Sequence, residues 1–308
     1  MSLPQMMKDV WDNHFESLTP MMKNYLETKK QHEDCIIFYR LGDFYEMFFD
    51  DALEASKVME ITLTGKSCGL EERAPMCGVP YHAIDMYINK LVTRGYKVCI
   101  VEQAEDPALA KGLVKREVSR IVTPGTNLNL TAMDEGKNNY LMSIAYIGGK
   151  FGISIADVTT GDYYVTEVYS ERNVLDEINK FMPTEIICNH AFLMCGMDID
   201  DIKNRLSISV FELEEWYFDE NNCSEVLKDH FRIMDLSGLG ISEMSLGVIA
   251  SGSLLKYLYE TQKNSLTHLS KLVPYSTSTF MILDTSTRRN LELCETLREK
   301  QKRGSLLW

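Results

Sequence analysis

The alternation of apolar and polar residues near the start of the chain predicts two short strands joined by a tight turn. An apolar run over residues 35–40 predicts the first strand, and Gly-Asp at positions 42–43 is a turn signal before the second. Because alternate side chains of a strand share a face, Phe44 and Glu46 are predicted on one face and Tyr45 on the other. A ring beside a carboxylate can stack on a ligand and accept its hydrogen bonds. The same alternation is also typical of a half-buried strand, with Phe44 in the core and Glu46 solvated.

Helical and strand patterns then interleave as far as residue 126, which predicts one mixed α/β domain over 19–126. The predicted helices cover 19–33, 51–60 and 82–94, and the predicted strands cover 35–40, 44–49, 61–64, 97–103 and 114–123. Asp51 and Glu54 have capping-box spacing, so Asp51 is expected to cap its helix. Residues 1–18 are assigned as a leader and 127–138 as a linker.

The next part of the chain predicts a second α/β domain over 139–264. Strands are predicted over 140–147, 150–158, 162–168, 185–188 and 207–213, and helices over 170–181, 198–206, 224–234 and 245–263. Three antiparallel strands followed by α-β-α-β is the element order of a ribonuclease-H-like fold. An extended segment over 280–284 and a charged helix over 285–300 are predicted to follow.

The net charge of −13 argues against a generally basic nucleic-acid binder. Residues 1–125 carry −4 and the remainder −9, so any binding to DNA must depend on local patches. Lys111 and Arg116, with Lys115 and Arg120, form one such patch, which could equally be a solvated strand edge. The eight cysteines have no metal-site spacing and are typical of small buried side chains in a reducing cytosol. No apolar run approaches the roughly 20 residues of a membrane span, so we expect a cytoplasmic protein without a membrane partner.

Four sequence blocks, in order, resemble the MutS family of bacterial DNA mismatch repair proteins. The first resembles the family's mismatch-recognition motif and reads Phe38-Tyr39-Arg40-Leu41-Gly42-Asp43-Phe44-Tyr45-Glu46-Met47-Phe48. The others lie at 74–83, at 101–103 with 120–126, and at 283–293. The resemblance covers the chain from about residue 19 to its end, and four ordered blocks are far more specific than a lone Phe-x-Glu.

The resemblance implies a mismatch-recognition domain, a connector domain with the ribonuclease-H-like fold, and the truncated start of a core domain over 265–308. It implies that Phe44 wedges beside a mispaired base in the minor groove and that Glu46 hydrogen-bonds the displaced base. Further candidates for DNA contact are Leu41, Met76, Arg73 and Lys66, with Arg40, Lys111 and Arg116 as candidates for phosphate contact. For Leu41 and Met76 the alternative is packing in the core. For the basic residues the alternative is a solvated side chain without a DNA contact.

The partners that the resemblance implies are mismatched duplex DNA and the MutL protein, with a homodimer for the full-length protein, close to the nucleoid. No cofactor is expected in this part of the protein. The chain contains no Gly-x-x-x-x-Gly-Lys-Ser/Thr phosphate loop, and ATP and magnesium are expected only for the full-length protein, through a C-terminal ATPase domain.

A metal-dependent nuclease is the alternative function, because ribonuclease-H-like nucleases hold metal ions on strand carboxylates. Asp157 lies at the end of the second strand of this domain, and Asp162, Asp176 and Glu177 follow. A two-metal site needs several carboxylates that converge on shared ions about 4 Å apart. We expect Asp157 to stabilise a strand end instead.

Overall fold

The computed structural model describes residues 3–104, 115–127, 138–277, 283, 285–294, 296–299, 301 and 303–308. The chain divides into a first unit, residues 1–137 with 258–266, and a second unit, residues 138–257 with 267–308. Each contains a six-stranded mixed sheet with helices, which confirms the predicted α/β class. None of the helices in the described ranges is long and apolar enough to cross a membrane.

The first unit is built on the sheet order β3-β4-β2-β1-β5-β6, in which only β1 and β5 are parallel. Its helices are α1 (Gln5–His14), α2 (Pro20–Gln31), α3 (Phe49–Met59) and α4 (Ile84–Val92). Its strands are β1 (Cys35–Leu41), β2 (Phe44–Phe48), β3 (Thr64–Lys66), β4 (Ala74–Pro80), β5 (Lys97–Gln103) and β6 (Arg116–Val122). A short 3-10 helix, Tyr81–Ala83, joins β4 to α4.

Apolar side chains cover both faces of this sheet. On the first face, Tyr39 and Phe48 pack with residues of α1 and α2; we call it the α2 face. On the second, Tyr45 and Met47 pack with residues of α3 and α4; we call it the α4 face. The apolar side chains of β2 therefore alternate between the two layers. The layer on the α2 face does not reach Phe44, the first residue of β2, whose side chain is exposed.

A buried polar network lies beneath the far end of β2. The Asp51 carboxylate accepts hydrogen bonds from Lys29 Nζ (2.9 Å), the Tyr25 hydroxyl (2.9 Å) and the backbone N–H of Ile37 (3.0 Å). The Tyr25 hydroxyl also accepts from the N–H of Phe48, at 3.2 Å. The prediction that Asp51 caps its helix is thus wrong: α3 begins two residues earlier, and this carboxylate bonds residues of α2 and β1.

A helix that the sequence analysis did not predict lies within the segment assigned as a leader. Met7 and Val10 of α1 are buried in the apolar layer of the α2 face. The backbone N–H of Met7 donates to the Asp50 carboxylate at 2.8 Å, which ties α1 to the start of α3. Part of the assigned leader is therefore part of the folded first unit.

The strands next to β2 also differ from the prediction. The strand expected over 61–64 begins at Thr64, and the loop expected over 65–75 contains the rest of β3 and the start of β4. The β4 strand was missed because Pro75, Gly78 and Pro80 are poor strand formers. The two prolines lie near the strand's ends, where the absence of an N–H costs least.

The second unit has the sheet order β11-β10-β7-β8-β9-β12. Its strands are β7 (Tyr140–Ile147), β8 (Lys150–Asp157), β9 (Asp162–Val168), β10 (Glu185–Cys188), β11 (Ser209–Glu212) and β12 (Val273–Pro274). Its helices are α5 (Glu171–Phe181), α6 (His190–Leu193), α7 (Ile199–Arg205), α8 (Glu220–Phe231), α9 (Ser245–Gln262, whose last residues belong to the first unit) and α10 (Thr285–Asn290). The antiparallel β7, β8 and β9, with β10 and β11 parallel to β7, have the order that the ribonuclease-H-like prediction requires.

Two helices of this unit differ from their predicted bounds. The helix expected over 224–234 begins at Glu220, because the Asp219 side chain accepts a hydrogen bond from the N–H of Asn222 and caps it. The helix expected over 285–300 ends at Asn290. The extended segment expected over 280–284 lies almost entirely outside the described residues.

Candidate nucleic-acid interface

Phe44 begins β2, directly after the turn, and its side chain is exposed. Gly42 in that turn has φ +58°, in the left-handed region that glycine adopts without strain. Phe44 pairs with Leu41 of β1 and Pro80 of β4, and 47% of it is accessible to solvent. The reading in which Phe44 belongs to the core is therefore excluded, whereas its predicted position on a different face from buried Tyr45 is confirmed.

Glu46 lies next to Phe44 on the α2 face and carries an ion pair that the sequence did not reveal. Lys66 Nζ is 2.5 Å from Glu46 Oε2, with 33% and 16% of the two side chains exposed. Gly78 pairs with Glu46, and a Cβ there would lie 3.3 Å from the backbone oxygen of Tyr45 and 3.4 Å from Glu46 Cγ. The carboxylate thus has a charged neighbour, Lys66, on the same partly exposed surface.

Leu41 and Met76 lie on the same face but are partly buried against the apolar layer of the α2 face. Leu41 is the direct cross-strand neighbour of Phe44, and Met76 pairs with Phe48, one step beyond Glu46 along the sheet. Leu41 and Met76 therefore pack against the core, which was the alternative to DNA contact. They also border the exposed ring of Phe44 and the carboxylate of Glu46.

The candidate cations are spread over different places. Arg73 is exposed beside Gly65, and the guanidinium carbon of Arg116 lies 4.9 Å from the centre of the Tyr39 ring, on the α2 face. Arg116 Nε also donates to the backbone oxygen of Arg40 at 3.1 Å. Lys111 lies outside the described residues.

The side chain of Arg40 lies on the α4 face, not with Phe44. Its guanidinium carbon is 4.2 Å from the centre of the Tyr81 ring and 5.3 Å from that of Tyr45. The Tyr45 hydroxyl donates to the Glu102 carboxylate, and burial together with this bond raises the pKa of Tyr45 to about 12. Tyr81, which sequence reasoning did not single out, is 47% exposed. Tyr81 follows Pro80 at the end of β4, a strand that was not predicted, so the sequence did not indicate that Tyr81 lies close to the turn.

Of the carboxylates proposed for a nuclease, Asp157 and Asp162 are cross-strand partners in β8 and β9, but a two-metal site needs more carboxylates than this pair. Asp157 is fully buried, and its oxygens accept hydrogen bonds from the N–H of Asn139 (2.9 Å), the N–H of Thr159 (2.8 Å) and the Thr159 hydroxyl (2.6 Å). Glu177 instead accepts a hydrogen bond from Tyr275, at 2.5 Å. Within the described ranges, no group of three or more His, Cys, Asp or Glu side chains could hold a metal ion. Asp157 therefore stabilises the turn between β8 and β9.

Comparison with known proteins matches both units to one family. The model of MutS domain I matches residues 19–131, and the model of MutS domain II matches residues 139–270. The chain is 64% identical over 291 residues to the DNA mismatch repair protein MutS of Lachnoclostridium phytofermentans, covering 94% of this chain and 31% of that protein. It is 53% identical over 295 residues to MutS of Ruminiclostridium cellulolyticum (95% and 33%) and 51% identical over 295 residues to MutS of Acetivibrio thermocellus (95% and 34%).

The chain spans about a third of the length of these curated relatives. The two family models follow each other along the chain in the order of their names, and the exposed Phe44 lies within the first. The chain therefore belongs to the MutS family, with domain I in its first unit and domain II in its second.

Proposed function

We propose that this chain binds duplex DNA at mispaired or unpaired bases, with Phe44 as the wedge that enters the base stack. The supporting observation is the half-exposed ring at the end of a two-strand hairpin whose other apolar side chains pack in apolar layers. A large apolar ring that is exposed at a fixed position is suited to inserting between the stacked bases of a ligand.

The physical basis of discrimination is a small difference between two opposed free energies. Insertion of an apolar side chain into a base step costs a few kcal/mol of unstacking. Stacking between a base and an aromatic ring returns about 1–3 kcal/mol. A mismatched step is already poorly stacked and paired, so it opens at a lower cost than a matched step. The wedge is therefore accepted at a mismatch and refused elsewhere.

Glu46 supplies selectivity on the same face. Its carboxylate can accept a hydrogen bond from a base that the wedge displaces, whereas at an ordinary duplex it faces phosphate charge without that compensation. The ammonium of Lys66 partly neutralises this repulsion and can itself turn towards a phosphate. Glu46 and Lys66 thus act together: the carboxylate lowers the affinity for DNA, and the lysine reduces that loss.

The second unit is proposed to relay binding to other parts of the full-length protein and to dock the MutL protein. Its acidic balance favours contact with protein over contact with DNA. The full-length protein is proposed to act as a homodimer and an ATPase with magnesium. ATP and magnesium are proposed only for the full-length protein; this sequence contains no phosphate loop, and the described residues contain no group of three or more His, Cys, Asp or Glu that could hold a metal ion. No step proposed for Phe44 or Glu46 depends on them.

Replacement of Phe44 by alanine in the full-length protein tests the proposal. We expect preference for a mismatched over a matched duplex to fall about fivefold to a hundredfold, the loss that corresponds to one stacking contact. The free energy of unfolding should change by only about 0.5 kcal/mol, because the ring is half exposed. Binding by fluorescence anisotropy and urea unfolding measure the two quantities.

Met86→Ala is the matched control, because Met86 is an equally exposed apolar residue of the first unit, 54% accessible. This variant should bind as wild type does. A Phe44→Ala protein that keeps its mismatch preference, or that loses binding only because it unfolds, contradicts the proposed function.

A further inference from the structure

Arg40 carries a positive charge that the protein itself does not neutralise. Across the described residues, its guanidinium lies over the rings of Tyr81 and Tyr45, and no carboxylate is within ion-pair distance of it. Two other basic side chains of the first unit have acidic neighbours: Lys66 pairs with Glu46, and Arg120 lies 4.0 Å from Asp85. In a chain of net charge −13, an arginine without an acidic partner is available for an external anion.

Tyr81 is held at the end of the same hairpin. Its backbone N–H donates to the backbone oxygen of Asp43 in the turn, at 2.9 Å. It follows Pro80, the cross-strand partner of Phe44. Two exposed aromatic rings, each 47% accessible, therefore border one turn, with Phe44 on the α2 face and Tyr81 with Arg40 on the α4 face.

The stacked geometry leaves the guanidinium able to bind an oxyanion. The guanidinium has five N–H donors in its plane, and a ring on its flat face uses none of them, so its interaction with the Tyr45 hydroxyl still leaves donors for a ligand. Those donors match the two oxygens of a phosphate. Stacking also reduces the freedom of a long side chain, so less conformational entropy is lost when the contact forms.

We propose that Arg40 contacts a backbone phosphate of the DNA on the side of the hairpin opposite Phe44, and that Tyr81 is the positioning residue for this contact. The inference rests on the proposed function, because a duplex that reaches Phe44 brings its sugar–phosphate backbone past both faces of the hairpin. A phosphate contact carries no sequence information. Arg40 and Tyr81 therefore contribute affinity and register, whereas Phe44 and Glu46 contribute preference for the mismatch.

The test is a salt titration of the full-length protein on matched and mismatched duplexes, with R40Q, Y81F, Y81L and the R40Q/Y81L double variant. The slope of log K against log salt should fall by about one in R40Q, as expected for one lost phosphate contact. R40Q should weaken both duplexes by the same factor. Y81F should bind as wild type does, whereas Y81L should weaken both duplexes about two- to fivefold, the effect of one exposed cation–π contact.

The double variant separates positioning from direct contact. If Tyr81 acts only through Arg40, Y81L should cause no further loss in the R40Q background. A further loss equal to that of Y81L alone overturns the positioning role, and an unchanged salt slope in R40Q overturns the phosphate contact.

Should Y81L fail to fold, R40K decides, because lysine keeps the charge but lacks the flat group. R40K should keep the salt slope and bind both duplexes about two- to fivefold more weakly. An R40K protein that binds as wild type does contradicts the positioning role.

Phe44→Ala, measured in parallel, distinguishes this inference from the proposed function. Lost mismatch preference in Phe44→Ala with an unchanged salt slope in R40Q refutes the Arg40 contact alone. Unchanged mismatch preference in Phe44→Ala refutes the proposed function itself.

Discussion

At the scale of single residues, the ion pair between Glu46 and Lys66 changes what the carboxylate is expected to do. A partly exposed pair of this kind contributes about 0.2–1 kcal/mol, so neither group is locked to the other. A duplex approaching the hairpin meets a nearly neutral pair in place of an isolated negative charge. The discrimination that we propose for Glu46 thus depends on whether Lys66 stays with it or turns to the DNA.

We predict that Glu46→Gln tightens binding to matched duplex about two- to fivefold and lowers the ratio of mismatched to matched affinity. Lys66→Gln should weaken matched binding, because it exposes the Glu46 charge as well as removing a cation. The double variant should bind matched duplex more tightly than Lys66→Gln. Titrations at two salt concentrations measure these affinities, and the differences should shrink at the higher salt.

Equal weakening of matched and mismatched binding by Glu46→Gln would contradict this account and leave the carboxylate a structural group. Additive effects of the two substitutions would show that the pair does not act as a unit.

The sequence was sufficient to predict which side chains of β2 share a face, because strand alternation is a local property. It could not predict the ion pair, because Lys66 is brought beside Glu46 by two successive strand pairings, β3 with β4 and β4 with β2. The same long-range register brings Tyr81 to Arg40. The motif residues could therefore be found in the sequence, but their partners could not.

Tyr45 gives a prediction at high pH. Its pKa is raised to about 12 by burial and by the hydrogen bond to Glu102, whereas a tyrosine in the unfolded chain titrates near pH 10. The folded protein holds this proton more tightly, so the stability that it contributes is complete below about pH 10 and is lost as the pH rises towards about 12. Urea unfolding at a series of pH values should show a steeper fall above about pH 10 for wild type than for Tyr45→Phe. Parallel curves for the two proteins would show that Tyr45 is not the residue responsible.

At the scale of elements, the hairpin is fixed at the end remote from Phe44. Tyr25 of α2 bonds both the N–H of Phe48, the last residue of β2, and the Asp51 carboxylate in α3. Three elements thus meet at one hydroxyl group beneath β2. The turn itself is joined to the end of β4 by the bond from the Tyr81 N–H to the Asp43 backbone oxygen, whereas the buried side-chain anchor lies at the opposite end of β2.

We predict that Tyr25→Phe lowers the free energy of unfolding by about 1–3 kcal/mol, because it leaves a buried N–H and a buried carboxylate each short of one partner. Amide hydrogen exchange at Phe48 should accelerate, and mismatch preference should fall although no DNA contact is removed. Tyr39→Phe is the matched control: it removes one hydroxyl that bonds Asn24 at 2.6 Å, between α2 and β1, without a bond to β2. If Tyr39→Phe lowers mismatch preference as much as Tyr25→Phe does, general loss of stability is the cause and the anchor has no special role.

Elements with a strong local pattern were predicted well, including β1, β5 and the three antiparallel strands of the second unit. The helix α1 was not predicted, because residues 1–18 were assigned as a leader, although Met6, Met7, Val10 and Trp11 have helical spacing. Asp51 was misassigned because its spacing to Glu54 fits a capping box, and only the tertiary structure shows that the carboxylate is buried.

At the scale of the whole chain, the second unit extends beyond the boundary predicted at residue 264. The strand β12 pairs in parallel with β9, and the hydroxyl of Tyr275 next to it donates to Glu177 at 2.5 Å. Burial and the neighbouring Glu177 raise the pKa of Tyr275 above its ordinary value. These contacts belong to one compact unit although they lie far apart in sequence.

We therefore predict that a polypeptide of residues 138–277 folds alone and melts at a higher temperature than one of residues 138–264. Circular dichroism melting compares them, and Tyr275→Phe within the longer polypeptide isolates the hydroxyl. Both polypeptides should bind duplex DNA far more weakly than the full-length protein, given the acidic balance. Equal melting temperatures would show that β12 contributes nothing, and DNA binding as tight as that of the full-length protein would contradict the division of roles between the units.

The anchor beneath β2 has a mechanical consequence for recognition. When two elastic bodies are pressed together, the more compliant one takes up most of the strain. A hairpin fixed by Tyr25 and Asp51 at its buried end is stiff, whereas a base step softens where pairing is faulty. The strain of the encounter then falls on the DNA, and the force needed for entry reports the local compliance of the duplex. In this view the hairpin is a rigid probe of the local compliance of the duplex. The more the hairpin itself bends, the less well it distinguishes a compliant base step from a stiff one.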